Sequence, residues 1–201
     1  MLDLLDYRRR VQDMYLPVRA NGGNPSIWLA WQSQRNHLFQ THPQSPLDDQ
    51  QKATFKSLRY FEHNSAFRVV APLNFDIEPE VFTIDLGLDG VFKMQRIASA
   101  SFVVPGGSGS LSVFWILGYG GGIFVPCADS TNNVNTYGGG RYLFDTIKGA
   151  DLGSDERAMV FDFNYAYHPS CTYNPRWTCP LAPPENRLDF PITAGEMLSD
   201  I

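Results

Sequence analysis

Ala100-Ser101-Phe102-Val103-Val104 and Leu111-Ser112-Val113-Phe114-Trp115-Ile116-Leu117 flank the run Gly106-Gly107-Ser108-Gly109. Two stretches of β-branched and aromatic residues either side of a glycine-rich turn read as a β-hairpin. The same period-two pattern continues in both directions. Upstream, Phe67-Arg68-Val69-Val70-Ala71, Val81-Phe82-Thr83-Ile84-Asp85 and Val91-Phe92-Lys93-Met94 are strand-like, bounded by Pro72, Pro79 and an Asp89-Gly90 turn signal. Downstream come Ile123-Phe124-Val125-Pro126, Arg141-Tyr142-Leu143-Phe144 and Ala158-Met159-Val160-Phe161-Asp162-Phe163. The total is about eight strands, and their connections are too short for helical crossovers, so the pairing is mostly antiparallel. Closing such a set removes its exposed edges. The expected fold is therefore mainly β (α+β): an antiparallel β-barrel or bent β-sandwich with N-terminal helices packed against it.

Before Tyr60 the period is helical. Leu4, Tyr7, Val11 and Met14 predict an amphipathic helix over residues 2–15, ended by Pro17 and Asn21-Gly22-Gly23. Asn24-Pro25 supplies an N-cap and a proline at the first helical position. The helix that follows carries Ile27, Trp28, Trp31, Leu38 and Phe39, with both tryptophans on one face for packing onto the sheet. Ser45-Pro46 with Asp48-Asp49 starts a third short helix, with acids in its first turn, Lys52 and Lys56 in its last, and Phe55 and Leu58 on its inner face. One domain over 1–201 is expected, helical over 1–57 and barrel-like over 58–201, its Pro-rich end wrapping back over the strands.

Composition narrows the function classes. With 201 residues, 43% hydrophobic and 18% charged, the chain is a soluble globular type. A net charge of −5 argues against nucleic acid, which needs a basic face. Arg8-Arg9-Arg10 is the single basic run and reads as a solvated helix face. No apolar stretch approaches the ~18 residues a membrane span requires. Acids in Met1-Leu2-Asp3-Leu4-Leu5-Asp6 stand where a signal peptide would be basic, so the expected location is the cytoplasm, with reduced cysteines. Nothing in the sequence specifies a cofactor or an oligomeric state.

Three clusters could carry chemistry. In Thr136-Tyr137-Gly138-Gly139-Gly140-Arg141-Tyr142, the glycines let backbone approach a ligand and Arg141 could clamp an anion; the plainer reading is a tight turn into a strand, with Arg141 paired to Asp162 inside. Gly120-Gly121-Gly122 reads as a turn or bulge. In the second cluster, alternation puts Asp162 and Asn164 on one face, near Tyr167 and His168; a buried carboxylate and amide there need partners, whether for a site or for a structural network. His168 is a candidate acid or base because its ordinary pKa is near neutral. The third cluster is Cys171 and Cys179, with Cys127 elsewhere. Buried thiols, a disulfide, a nucleophile beside His168, or a zinc site that still lacks a regular ligand pattern are the alternatives, and no metal site is assigned.

Several of these residues also form longer motifs: Tyr137-Gly138-x-Gly140-Arg141-Tyr142, Asp162-Phe163-Asn164-x-Ala166-Tyr167-x-Pro169-x-Cys171, Cys179-Pro180-Leu181-x-Pro183-Pro184-x-Asn186-x-Leu188 and Ala194-Gly195-Glu196. Together with Tyr60-Phe61 and Phe67-Arg68-Val69, they resemble the signature of the domain-of-unknown-function family numbered 1684, over roughly residues 55–196. His168 stands where that pattern leads one to expect asparagine, and the N-terminal part is short. The resemblance implies a bacterial or archaeal origin and no established activity.

The functional expectation is a protein that binds a small anionic ligand, with enzymatic activity left open. Its pocket would lie near Arg141 and Asp162. Arg141 would hold the anion, Tyr142, Asn164 and Tyr167 would orient it, Cys171 and Cys179 would lie at the lid, and Asp162 and His168 would be the catalytic candidates. Flavin binding in a split barrel is an analogy of architecture alone. The alternative is a non-catalytic structural or interaction module whose polar cluster anchors only the C-terminal tail.

Overall fold

The computed structural model describes residues 1–87 and 90–200. Helices α1 (Leu2–Asn21), α2 (Pro25–Thr41) and α3 (Asp49–Thr54) come first. Strands follow: β1 (Arg59–Tyr60), β2 (Arg68–Asn74), β3 (Val81–Asp85), β4 (Val91–Val104), β5 (Gly107–Ile116), β6 (Gly122–Cys127), β7 (Arg141–Asp145), β8 (Ala158–Asp162) and β9 (Glu196–Met197). The fold is mainly β, with antiparallel strand pairs throughout these elements and the helices packed on the sheet.

The larger sheet runs β7-β6-β5-β4-β2-β8, with β3 also on β4. It curls into a half-barrel. The chain just past β8 then pairs with β7 through a Tyr142–Tyr167 bridge, tying the two edges of the sheet together (Tyr142 N to Tyr167 O, 2.8 Å; Tyr167 N to Tyr142 O, 3.1 Å). Two runs read as separate strands, 91–94 and 100–104, are one 14-residue strand, β4. Its first half pairs with β3 and its second with β2, and a bulge between Arg96 and Ala98 lets one strand serve both neighbours.

In the hairpin, Val104 pairs with Gly107, so Pro105-Gly106 is the turn and the other glycines belong to β5. Their small size has a different cause from turn-making. A Cβ on Gly107 would lie 2.6 Å from the Phe190 ring, because the C-terminal segment runs directly over β5. Of the expected Asp89-Gly90 turn, Asp89 lies outside the described residues, while Gly90 O accepts from Leu86 N at 2.9 Å.

α1 continues past Pro17, where an end is predicted. An interior proline costs about 3 kcal/mol. Burying Met14 and Val18 in the main core offsets this at about 1.5–3 kcal/mol for each full burial. α2 starts as expected: Asn24 Oδ1 accepts from Ser26 N at 2.9 Å, and Pro25 is first in the helix. α3 opens with a capping box between Asp48 and Gln51, ends before Lys56, and is followed by buried Phe55 and Leu58.

The half-barrel interior is filled by Leu111, Val113, Val125, Leu143 and a ring group in which Phe102 meets Phe161 and Phe163 at 5.8 and 5.2 Å. Helices α1 and α2 lie over this interior. Trp28 Nε1 donates to Asn164 O at 3.0 Å, and the Trp31 ring stands edge-on to Tyr165 at 5.1 Å. The packing expected of the two tryptophans is thus seen.

Residues 169–199 form a strap rather than a loose tail. Asn186 lies buried between β5 and β6; its amide donates to Ser112 O and Pro126 O and its Oδ1 accepts from Ser112 N. β9 closes the strap onto β1, pairing Tyr60 with Glu196.

Candidate functional site

The expected Arg141–Asp162 pair does not form. Asp162 lies opposite Arg68 in the β2–β8 register and takes that residue as its partner at 3.0 Å. Asp162 Oδ1 also accepts from Asn164 N and Nδ2, while Asn164 bonds Asn64 in both directions. Burial raises the Asp162 pKa against the pull of these donors. Asp162 and Asn164 therefore knit β8 to the chain entering β2, with every polar atom of Asn164 engaged.

Arg141 is fully buried. The turn before it is the tight entry into β7 that the glycines suggest: Gly140 has φ +95°, and a Cβ there would come within 2.5 Å of Cys127 O. The Arg141 guanidinium pairs with Asp129 at 2.8 Å and donates to the carbonyls of Ile192, Ala194 and Glu196. Asp129 in turn accepts from Thr131 and from Ile192 N. Both Nη groups of the arginine are spent on Asp129 and the strap, whose backbone acceptors take the place of a ligand, while its Nε has no hydrogen-bond partner.

A cavity of about 60 Å³ lies elsewhere, between α1, α2, β7 and the chain after β8. Tyr7 and Tyr15 line it from α1, Arg35 and Phe39 from α2, Tyr142 and Asp145 from β7, with Lys148, Tyr167 and His168 completing the wall. Of the residues singled out from sequence, Tyr142, Tyr167 and His168 meet here. Tyr142 directs its hydroxyl to Pro180 O, a bond internal to the chain.

Arg35 was missed, although the sequence carried a signal for it. Trp28, Trp31, Leu38 and Phe39 define a helical stripe, and position 35 falls inside it, four residues after Trp31 and three before Leu38. A charge at a core position requires a partner. Arg35 Nη2 pairs with the fully buried Glu196 at 2.7 Å, and its guanidinium lies 4.8 Å from both the Phe39 and Tyr167 ring centres. Glu196 also accepts from His168 N at 2.9 Å and from the Tyr173 hydroxyl. The second strap anchor is thus a charged pair beside the cavity.

Three buried donors on the cavity wall have no hydrogen-bond partner: the Tyr15 hydroxyl, Arg35 Nε and His168 Nδ1, the last lying 3.9 Å from Glu196 Oε1. His168 Nε2 accepts from Tyr137 N at 3.1 Å, which fixes the neutral ring with its proton on Nδ1. Burial lowers the His168 pKa to about 4, so that tautomer persists at neutral pH. With its lone pair occupied, His168 is placed as a hydrogen-bond donor rather than a base. Burial raises the Tyr15 pKa and keeps its proton in place. At the cavity edge, Lys148 Nζ pairs with Asp145 at 3.2 Å.

Cys171 and Cys179 are free thiols, both partly exposed; Cys171 Sγ lies 3.8 Å from Tyr137 Oη. Cys127 is buried at the end of β6. Among the described residues, no three His, Cys, Asp or Glu side chains come together as metal ligands, and no helix is long and apolar enough to cross a membrane.

A family model described as "Protein of unknown function (DUF1684)" matches residues 53–197. The solution NMR structure of the uncharacterized protein from gene locus rrnAC0354 of Haloarcula marismortui is similar, with a TM-score of 0.59 and 29% identity, covering 87% of this chain and 94% of that one. No curated protein matches. The family match takes in β1 to β9, nearly all of the strap, and the acidic partners of both buried arginines, Asp129 before β7 and Glu196 in the strap, and the chain belongs to the DUF1684 family of proteins of unknown function.

Proposed function

We propose that the protein binds a small anion, or the carboxylate- or phosphate-sized end of a larger molecule, in the cavity between α1, α2 and β7. The observation that carries this reading is the set of three unpartnered buried donors on one cavity wall. A buried polar group left unpaired costs roughly 1–3 kcal/mol, so this wall favours an occupant that accepts hydrogen bonds. Arg35 and Lys148 are already paired with Glu196 and Asp145, so it is the hydrogen-bond donors rather than net charge that favour the occupant. A space of about 60 Å³ takes only a small group. Tyr167 serves as an aromatic platform and His168 as a donor, which makes binding the primary role of the site. Cytoplasmic residence in a bacterium or archaeon fits the free cysteines and the Haloarcula marismortui relative.

One observation favours a second reading, a non-catalytic module. Both buried arginines have an acidic partner, and the Arg141 guanidinium is further occupied by strap carbonyls. Thermal melts in formate, acetate, phosphate and sulfate, for the native protein and Tyr15→Phe, separate the two. A bound anion raises the native Tm saturably. Removing one hydrogen bond to a charged ligand, worth about 1.5–3 kcal/mol, weakens the response at least about tenfold. Melts that ignore the anions, or respond equally in both proteins, would assign the cavity to structural water and the protein to the second reading.

A further inference from the structure

We propose that the cavity takes a small zwitterion, a 2-amino carboxylate of about the size of glycine, with its carboxylate on the buried donors and its ammonium on Asp145. This rests on the reading that the cavity binds a carboxylate, and it adds a second group to the ligand and a partner for it. The basis is an acceptor on the same wall that the chain leaves unused. Asp145 lines the cavity at the end of β7, and its side chain is only 5% exposed. Its Oδ2 meets Lys148 Nζ at 3.2 Å, and its Oδ1 takes no hydrogen bond from the described residues.

Lys148 is a weak partner for that carboxylate. Its side chain is 52% exposed, so it keeps much of its hydration and adds little to the pair. A carboxylate almost closed off from water needs further donors. Elsewhere on the wall the want is the opposite one. The Tyr15 hydroxyl, Arg35 Nε and His168 Nδ1 are donors without hydrogen-bond partners, all on buried side chains. Unmet donors and an unmet acceptor thus border one space of about 60 Å³, which a single molecule of a few heavy atoms spans.

Charge decides which class of molecule fits best. Arg35 is matched by Glu196 and Lys148 by Asp145, and the His168 ring is neutral, so the wall and its partners carry no net charge. A lone anion gains the donors but meets no free countercharge to replace its lost hydration. A zwitterion gains both. Its carboxylate oxygens accept charge-assisted hydrogen bonds from Tyr15, Arg35 and His168. Its ammonium, on the adjacent carbon, donates to Asp145 Oδ1. Lys148, already half in solvent, turns outward as the second cation arrives.

The test is a set of NMR titrations of the full-length protein at neutral pH and constant ionic strength, with glycine, acetate and methylammonium as separate probes. Glycine should bind about tenfold or more tightly than acetate, as one added charge-assisted contact provides, and methylammonium should bind more weakly than glycine. In Asp145→Asn the ratio of glycine to acetate affinity should fall toward one. Glycine binding no tighter than acetate, methylammonium binding equal to glycine, or a ratio that Asp145→Asn leaves unchanged would each overturn the zwitterion, while saturable acetate binding in the same series would uphold the carboxylate site. Silence toward all three probes would overturn both. Should Asp145→Asn fail to fold, the affinities of the native protein for the three probes decide.

Discussion

Arg141→Met removes a guanidinium that touches no solvent while keeping most of its volume. Four acceptors lose a donor. Asp129 stays buried without its 2.8 Å partner, the carbonyls of Ile192 and Ala194 lose a donor, and so does that of Glu196. Breaking a buried ion pair by deleting one member costs about 3–5 kcal/mol. Each carbonyl adds a share of the roughly 1–3 kcal/mol owed by an unpaired buried group, less where water enters. A net loss of about 4 kcal/mol is a cautious figure, and at about 2–4 °C per kcal/mol for a chain of this size the Tm falls by about 8–16 °C. Thermal and urea unfolding measure the loss, and limited proteolysis locates it, with first cleavage inside the strap. A variant that loses less than about 1 kcal/mol, with a strap as protease-resistant as the native one, would refute the view that Arg141 is spent on anchoring.

The second anchor should behave as a coupled pair. Arg35→Met and Glu196→Gln should each destabilise by roughly 3 kcal/mol or more, and the double variant by clearly less than their sum; additive urea-unfolding energies would show that Arg35 and Glu196 act independently. His168 sets an acid limb. Its folded pKa of about 4 lies below the ordinary 6.5, so the unfolded chain binds the extra proton. Its contribution is complete above pH 6.5 and is lost as pH falls toward 4, by up to about 3 kcal/mol. Glutamine extends to the position of Nε2 and can accept from Tyr137 N there, so His168→Gln should flatten that limb relative to the native protein in urea titrations between pH 4 and 7, and an unchanged slope would contradict the buried neutral ring.

The strands were legible because their cues are local. β3 falls at Val81–Asp85 as read, and β7 and β8 match within a residue. β4 was divided because a bulge, unlike a turn, leaves no glycine or proline signal at Arg96–Ala98. α1 was cut short at Pro17 because the local rule carries no knowledge of Val18 in the core. The site was only half legible. Arg141 and Asp162 read correctly as buried charges, but their partners, Asp129 and Arg68, are set by a loop path and by strand register. The cavity was out of reach because its walls come from two distant parts of the chain, residues 7–46 and residues 142–170, which no local pattern joins.

The most direct measurement is a long-range proton–nitrogen NMR spectrum of the His168 ring at neutral pH, recorded through an acetate titration. A donor-lined anion cavity predicts the proton on Nδ1, a bare Nε2, and an Nδ1–H resonance that moves saturably as acetate fills the space. A ring protonated on Nε2, or an Nδ1–H signal that acetate leaves in place, would contradict it.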